Sequence, residues 1–361
     1  MSLSAFIVLL VAANALMLLA SPIYRSRNRL LNWYYTNIFQ KVFINKAYRS
    51  VLNWIVPLFY CSIIASFGLI YYLKLARITW SDGNHHDIPF INLSSFENYI
   101  FIPLMILSNL ALVFICYKKS FTDANYKTLN TPQFDHILFH PNTICKTCQT
   151  VKQARSKHCS ICEKCVPGFD HHCIWINCCV SQSNIFFFDL LLLNNLFDLL
   201  YVSIRAGVII TNFNASFLKY YKHVNVDKPE MLRIFKTVRK NLVTIFLLGM
   251  SFLLVMSWFV YAQLKLIMDG MSSNESDKWY VIHSLIYDGL VYKLNGKYYV
   301  ITEDSKNDES LKKFNSVNFY DTRIYTFDNV SDRQRVTSPD EVENIYDKGS
   351  FTENLKERWS L

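Results

Sequence analysis

The sequence predicts an all-α integral membrane protein: a bundle of about five transmembrane helices, a small Cys/His-rich domain held against one face, and a partly folded tail. Three observations point there. Of 361 residues, 52% are hydrophobic, and they gather into long runs at about 3–20, 51–73, 99–117, 185–210 and 242–267. Each run is close to the roughly 20 residues that a helix needs to cross a hydrocarbon core of about 30 Å. Eight of the ten cysteines lie between Cys145 and Cys179, in the polar gap between the third and fourth runs. The net charge of +9 is also divided, with 25 basic and 11 acidic residues in 1–268 but 12 and 17 in 269–361. The basic residues form no continuous stripe on a soluble domain, which argues against a nucleic-acid partner.

Residues 1–20 read as an N-terminal transmembrane anchor. Ala20-Ser21 resembles a small-residue cleavage site, so a signal peptide is the alternative. No positive charge precedes the run, however, and Arg25, Arg27 and Arg29 follow it. That pattern suits an uncleaved anchor with a cytosolic basic flank, the loop 21–50, which holds six Lys/Arg and no acid. Residues 51–117 carry helices 2 and 3. Residues 118–184 form the Cys/His-rich domain, which parity then places in the cytosol, where thiols stay reduced. Residues 185–268 carry helices 4 and 5, and 269–361 the cytosolic tail. The loop 211–241 runs against the positive-inside tendency, since it holds seven Lys/Arg and is expected in the lumen.

Within the fourth run, Asp189, Asn194, Asn195, Asp198 and Arg205 read as interhelical polar contacts or as part of a substrate cavity. In the tail, Asn295-Gly296 between two β-rich runs predicts a hairpin. The sequons at Asn92 and Asn214 are expected in the lumen, where glycan mapping would report the topology. Cys61 and Cys116 read as helix-packing thiols, His85-His86 as a solvated loop, and Trp175 as a packing wedge.

The Cys/His segment is too small to be stable by burial alone, and metal is the usual remedy. Cys145/Cys148 and Cys159/Cys162 are Cys-x-x-Cys knuckles, each able to give two thiolates to a tetrahedral zinc. Neighbouring side chains project differently, so His158 and Cys159 are expected on different metals, as are His172 and Cys173. An interleaved scheme follows: Cys145, Cys148, His158 and Cys165 on one zinc, and Cys159, Cys162, His172 and Cys179 on the other. Both sites are closed, hence structural. His171, Cys173 and Cys178 are left over. They are either surplus structural residues or a reactive set in which Cys173 is the nucleophile, His171 its base and Asp170 the orienter of the imidazole. Cys178 reads as a bystander.

Cys145-x-x-Cys148, Lys152-x-x-Arg155-x-x-His158-Cys159-x-x-Cys162-x-x-Cys165 and Asp170-His171-His172-Cys173-x-Trp175-x-Asn177-x-Cys179 together resemble the cysteine-rich domain of the DHHC protein S-acyltransferases. Asn184-x-x-x-Phe188, Ser272-Ser273-Asn274-Glu275 and Asn344-Ile-Tyr346-Asp347-Lys-Gly349 with Asn354 are similar to three further motifs of that family. Gln153 and Ser181 depart from its pattern, as does Asp123-Ala124-Asn125 where Asp-Pro-Gly is usual. The extra N-terminal helix and the segment Gly270–Trp279 look most like the fungal spore-wall-formation branch.

The resemblance implies a protein S-palmitoyltransferase. Cys173 would be acylated by a long-chain acyl-CoA such as palmitoyl-CoA, with His171 and Asp170 as its partners. It would then pass the chain to membrane-proximal cysteines of protein substrates, SNARE-like transmembrane proteins among them. Lys152, Arg155 and Lys157 are expected to meet the CoA phosphates. The branch implies the endoplasmic reticulum, with the Golgi as alternative. The competing reading is a membrane-anchored zinc cross-brace module of ubiquitin-ligase or scaffold type, for which His171 and Cys173 would be surplus.

Overall fold

The computed structural model describes residues 16–17, 20–21, 23, 28–44, 50–70, 79–81, 87–89, 94–121, 132–223, 228–294, 297–301, 314–316, 324–325 and 334–360. The anchor at 1–20 falls almost wholly outside the described residues. So do Asp123-Ala124-Asn125, Asn92, His85-His86 and the Asn295-Gly296 turn itself. The chain divides into two compact units, Met1–Ile63 and Ile64–Leu361.

The first unit holds α1 (Arg29–Tyr34), capped by the Asn28 side chain and continued by a π-helical stretch at Tyr35–Ile44. Helix α2 (Ile55–Ile70) follows, and the apolar helical stretch that overlaps it, Ser50–Ser66, is shorter than a full span. Three described helices are long and apolar enough to cross a membrane: Glu97–Lys119, Ile185–Ala215 and Phe235–Met268. They are α3 (Ile102–Lys119, preceded by a π turn at Glu97–Phe101), α4 (Ile185–His223) and α5 (Lys228–Met268). Large apolar side chains such as Leu107, Leu254 and Trp258 point outward from them, more than 60% exposed. An apolar surface of that kind is stable against lipid and unstable against water.

Residues 211–241, expected as a loop, are mostly helix. The 39 residues of α4 amount to about 58 Å at about 1.5 Å per residue, well beyond a hydrocarbon core. The helix pair is sealed there by Phe213, Val238 and Leu242, with Phe217 stacked on Phe235 at 3.7 Å. The Asn214 sequon therefore sits in helical backbone.

Several polar residues of the span make interhelical contacts, whereas Asn195 donates to the Leu191 carbonyl of its own helix. Asp198 accepts from Asn109 of α3 and from Asn194. Arg205 and Tyr201 both reach Glu97, at 2.9–3.0 Å. Asp198 and Arg205 share a helix face but have separate partners.

The chain is mostly helical but not all-α, and its first strands, β1 (Thr79–Ser81) and β2 (Asp87–Pro89), pair antiparallel. Two antiparallel ribbons build the Cys/His domain: β3 (Lys157–Cys159) with β4 (Lys164–Val166), and β5 (Phe169–Cys173) with β6 (Cys178–Ser181). In the tail, α6 (Ser273–Tyr287) packs on a five-stranded sheet. Its strands are β7 (Val291–Leu294), β8 (Lys297–Ile301), β9 (Phe314–Ser316), β10 (Ile324–Tyr325) and β11 (Gln334–Arg335), in the order β10-β9-β8-β7-β11. The predicted hairpin is β7–β8, enlarged by strands that carry too little alternation to be read in advance. A core of Ile282, Ile286, Val291, Val300 and Val336 joins helix to sheet and takes in Ile137, Leu138 and Phe139 from the chain just before the first knuckle. Helix α7 (Phe351–Trp359), capped by Ser350, lies across α4 and α5.

Candidate active site and metal centres

The ribbons explain how one short segment carries two metal sites and a third, different group. In each knuckle the first sulfur accepts the backbone N–H of the second cysteine, Cys145 from Cys148 and Cys159 from Cys162, both at 3.4 Å. The residue after each knuckle, Gln149 and Glu163, turns the chain back with φ of 56° and 54°. Antiparallel pairing then sets His158 opposite Cys165, and His172 opposite Cys179.

The result is two foursomes, Cys145–Cys148–His158–Cys165 and Cys159–Cys162–His172–Cys179, with the ligand atoms of each within 4.8 Å of one another. His158 Nδ1 lies 3.2 Å from Cys148 Sγ and 3.9 Å from Cys165 Sγ. His172 Nδ1 lies 3.4–3.7 Å from its three sulfurs, and Cys162 and Cys179 are 3.5 Å apart. A zinc tetrahedron with Zn–S of about 2.3 Å and Zn–N of about 2.0–2.1 Å has edges near 3.5–3.8 Å, so both sets fit that ion. These are the groupings expected from spacing and sterics.

Strand alternation separates the roles inside Asp170-His171-His172-Cys173. Side chains two apart share a face, so His172 turns toward its metal foursome while His171 and Cys173 turn the other way. Asp170 would alternate onto the His172 face, but the ladder slips there. Phe169 pairs with Ser181 and His171 with Val180, leaving Asp170 as the extra residue of a β-bulge. The bulge re-aims its carboxylate, and Asp170 Oδ2 receives His171 Nδ1 at 2.7 Å.

Asp170 is 2% exposed and heavily tied. Ser273 donates to it twice, from its backbone N–H to Oδ1 at 2.9 Å and from its hydroxyl to Oδ2 at 2.8 Å. Ser273 begins α6, so the carboxylate also faces the positive end of that helix. Burial alone would raise the Asp170 carboxyl. The hydrogen bond to His171, the Arg358 charge and the Ser273 amide outweigh it and bring the group down to about 2. Burial likewise pulls the His171 imidazole down, but hydrogen bonding to Asp170 and Cys173 carries it up to about 9. The ring of Phe188 closes on His171 edge-on at 5.2 Å.

Cys173 rests on the membrane helices. It belongs to a buried apolar cluster with Ile176, Val180, Ile185, Phe188 and Leu191, against Leu112 and Val113 of α3. Cys178 is its cross-strand partner and is 1% exposed. Burial pushes that thiol far above its ordinary range, in keeping with an unreactive neighbour. Asn184, fully buried, ties the domain to α3 by donating to the Cys116 carbonyl at 3.1 Å and to the Cys179 carbonyl at 2.9 Å.

The tail motifs converge on the same place. Ser272 caps α6 in a reciprocal box with Glu275. Glu275, 1% exposed, also takes Arg155 in a bidentate pair at 2.6 and 2.7 Å. Arg155 in turn lies over the Tyr346 ring at 4.6 Å. Arg155 was expected to meet a phosphate alongside Lys152 and Lys157, yet its planar fork is committed to Glu275. Lys152 and Lys157 instead line a shallow recess with His140, Thr143, Ser156 and Lys278. Lys278 was not anticipated as a site residue, because it lies more than a hundred positions from the knuckles. Ser273 is marked in the sequence only by its motif, and Arg358 by no local pattern.

Residues 138–280 match the family model described as DHHC palmitoyltransferase. Over 341 residues the chain is 36% identical to Palmitoyltransferase SWF1 of Kluyveromyces lactis, covering 92% of this chain and 91% of that one. It is 31% identical over 366 residues to Palmitoyltransferase SWF1 of Saccharomyces cerevisiae, covering 98% and 99%. A shorter stretch of 148 residues, 39% of this chain and 42% of the other, is 35% identical to Palmitoyltransferase ZDHHC4 of Bos taurus.

Proposed function

The chain belongs to the DHHC palmitoyltransferase family and is a protein S-acyltransferase, and on that premise we propose that Cys173 is its acyl carrier, with His171 and Asp170 as the proton-handling pair. The observation that carries this reading is the β5–β6 register, which sends His171 and Cys173 to one face and leaves Asp170 in a bulge beneath the imidazole.

In the first half-reaction Cys173 Sγ attacks the thioester carbonyl of a long-chain acyl-CoA and its proton passes to His171. The CoA sulfur leaves and takes up that proton. In the second, a substrate cysteine passes its thiol proton to His171 as its sulfur attacks the acyl-Cys173 carbonyl, and the Cys173 sulfur departs and takes that proton up. Each step exchanges one thioester for another, so the enzyme's task is positioning rather than driving. Asp170 favours the protonated imidazole, the form that exists between the two proton transfers. The apolar cluster under Cys173 is continuous with α3 and α4, which suits a chain lying among lipid-facing helices, each buried CH₂ contributing about 0.8 kcal/mol. The two Cys/His foursomes would hold zinc, whose contribution is to fix the ribbons; closed by four protein ligands, neither offers a place for a reactive water.

The test is direct. Full-length protein in detergent with palmitoyl-CoA is expected to form a hydroxylamine-sensitive adduct, and Cys173→Ala to form none while keeping two zincs per chain. Label persisting on that variant would remove Cys173 from the mechanism.

The lysine recess supports a phosphate site for CoA made by Lys152, Lys157 and Lys278 in place of Arg155. Replacing Lys152 and Lys157 together by Gln is expected to raise the KM for acyl-CoA several-fold, with kcat within about twofold, the signature of lost uniform binding. An unchanged KM would place the phosphates elsewhere.

The finer organisation belongs to the same reading. The segments 1–20 and 51–73 complete a set of five spans, and the Cys/His domain and the tail face the cytosol. Substrates carry juxtamembrane cysteines in the manner of SNAREs, in the endoplasmic reticulum. Support for these points comes from the apolar runs, from the basic segment 21–50 and from the resemblance to the fungal branch. A ubiquitin-ligase cross-brace leaves the His171–Cys173 face without a role.

A further inference from the structure

The mechanism uses Asp170 through His171, but a second cation stands behind that carboxylate. Arg358, on the last turn of α7, has a side chain only 10% exposed. Its Nε and one terminal nitrogen donate to the two oxygens of Asp189, at 2.9 and 3.1 Å. That terminal nitrogen also donates to Gln263 Oε1 at 2.6 Å. Trp359 adds its indole N–H to Asp189 at 2.9 Å. The remaining guanidinium nitrogen is thereby aimed at Asp170, 3.9 Å from Oδ1.

Asp189 itself is 6% exposed and lies one residue after Phe188, whose ring closes on His171. One turn at the start of α4 therefore touches the imidazole and clamps the guanidinium. Helix α7 is held at the far end as well. Asn354, 4% exposed, donates to the Met268 carbonyl at 3.2 Å and to Asp347 at 2.8 Å. Gly270 makes that docking possible: with φ of 60°, a Cβ there would come within 2.6 Å of Asp347 Cα.

A guanidinium between two buried carboxylates does more than fasten a helix. Its field acts on both, and only one of them touches the reactive imidazole. We propose that Arg358 is a positioning residue for acyl transfer: held by Asp189 and Gln263, it fixes the orientation of Asp170, so that docking of α7 completes the catalytic centre. The proposal rests on the assignment of Cys173, His171 and Asp170 above.

The test uses full-length protein in detergent and reads the rate of Cys173 acylation at saturating palmitoyl-CoA, the KM, and the zinc content. Removing Arg358 alone strands Asp189 as a buried unpaired charge. The informative variant is therefore Asp189→Asn with Arg358→Gln, in which both members of the pair become neutral. It is expected to retain two zincs and an unchanged KM while its saturated rate falls at least about tenfold. Arg358→Lys, which keeps the cation, is expected to stay within about threefold of the unaltered protein.

A folded double variant acylating at the unaltered rate would overturn the proposal, as would Arg358→Lys being as slow as Arg358→Gln. Failure of both glutamine-bearing variants to fold with their zinc would assign Arg358 to folding alone and overturn it too. Label on Cys173→Ala equal to that of the unaltered protein is a separate failure, of the site assignment itself.

Discussion

Stripping zinc from the purified protein is expected to abolish Cys173 acylation and unfold the Cys145–Ser181 segment, while leaving the membrane helices folded. Within the segment, the ribbons bury little besides the ligands. Its ribbons are three to five residues per strand, and an isolated two-stranded hairpin is at best marginal in water. The buried cluster beneath the second foursome consists of Cys159, Val166, Phe169 and Cys179, two of which are themselves ligands. Structural zinc binding is worth about 10–16 kcal/mol in small metal-folded domains, comparable to the whole stability of an ordinary domain, about 5–15 kcal/mol. Because His172 lies between His171 and Cys173, losing its metal releases the strand that carries both. Chelator titration followed by zinc analysis, hydrogen exchange over 145–181 and acyl labelling checks the three consequences together. Undiminished labelling after both metals are gone would refute the dependence.

Glu275→Ala is expected to be the most damaging substitution outside the zinc ligands, lowering stability by about 3–5 kcal/mol, the usual cost of leaving a buried ion without its partner. Arg155 would lose both of its bonds at 2.6–2.7 Å. Helix α6 would lose half of its capping box at the same time. Both losses act on the helix start that presents Ser273 to Asp170, so acylation should fall with the denaturation midpoint. A charge-free double variant, Arg155→Met with Glu275→Leu, should recover much of the stability because no ion is stranded. It should recover less of the activity, since Ser272 still lacks its reciprocal partner. Thermal denaturation in detergent and the acylation rate measure the two effects separately; a midpoint within about 1 °C of the unaltered protein for Glu275→Ala would contradict the account.

Much of the centre was legible in the chain because it is local. Knuckle spacing and the steric separation of adjacent residues are enough to sort His158 from Cys159 into the two foursomes that the ribbons bring together, and to part His172 from Cys173, which lies in neither. The long apolar runs at 99–117, 185–210 and 242–267 appear as helices for the same reason: over that length, composition leaves no other stable structure in lipid. Where the signal was weak, the outcome changed. The basic stretch 211–241 looks like a loop by charge but is two helix ends, because Phe213, Val238 and Leu242 pack at a spacing that the Lys/Arg residues between them obscure. Strands β9, β10 and β11 are only two or three residues long, too short for alternation to show.

By itself the sequence determined the family, the membrane character and the two Cys/His foursomes, since each is written in spacing or in run length. Only the tertiary structure decided which groups control Asp170. Its bulge depends on the register of β6, its hydrogen-bond donors come from the start of α6, and its cation comes from α7, nearly two hundred residues away. The same is true of Arg155, expected beside a phosphate, for which the fold supplies Glu275 as partner. A buried charge takes whatever partner the fold delivers, and no local pattern announces which element will deliver it.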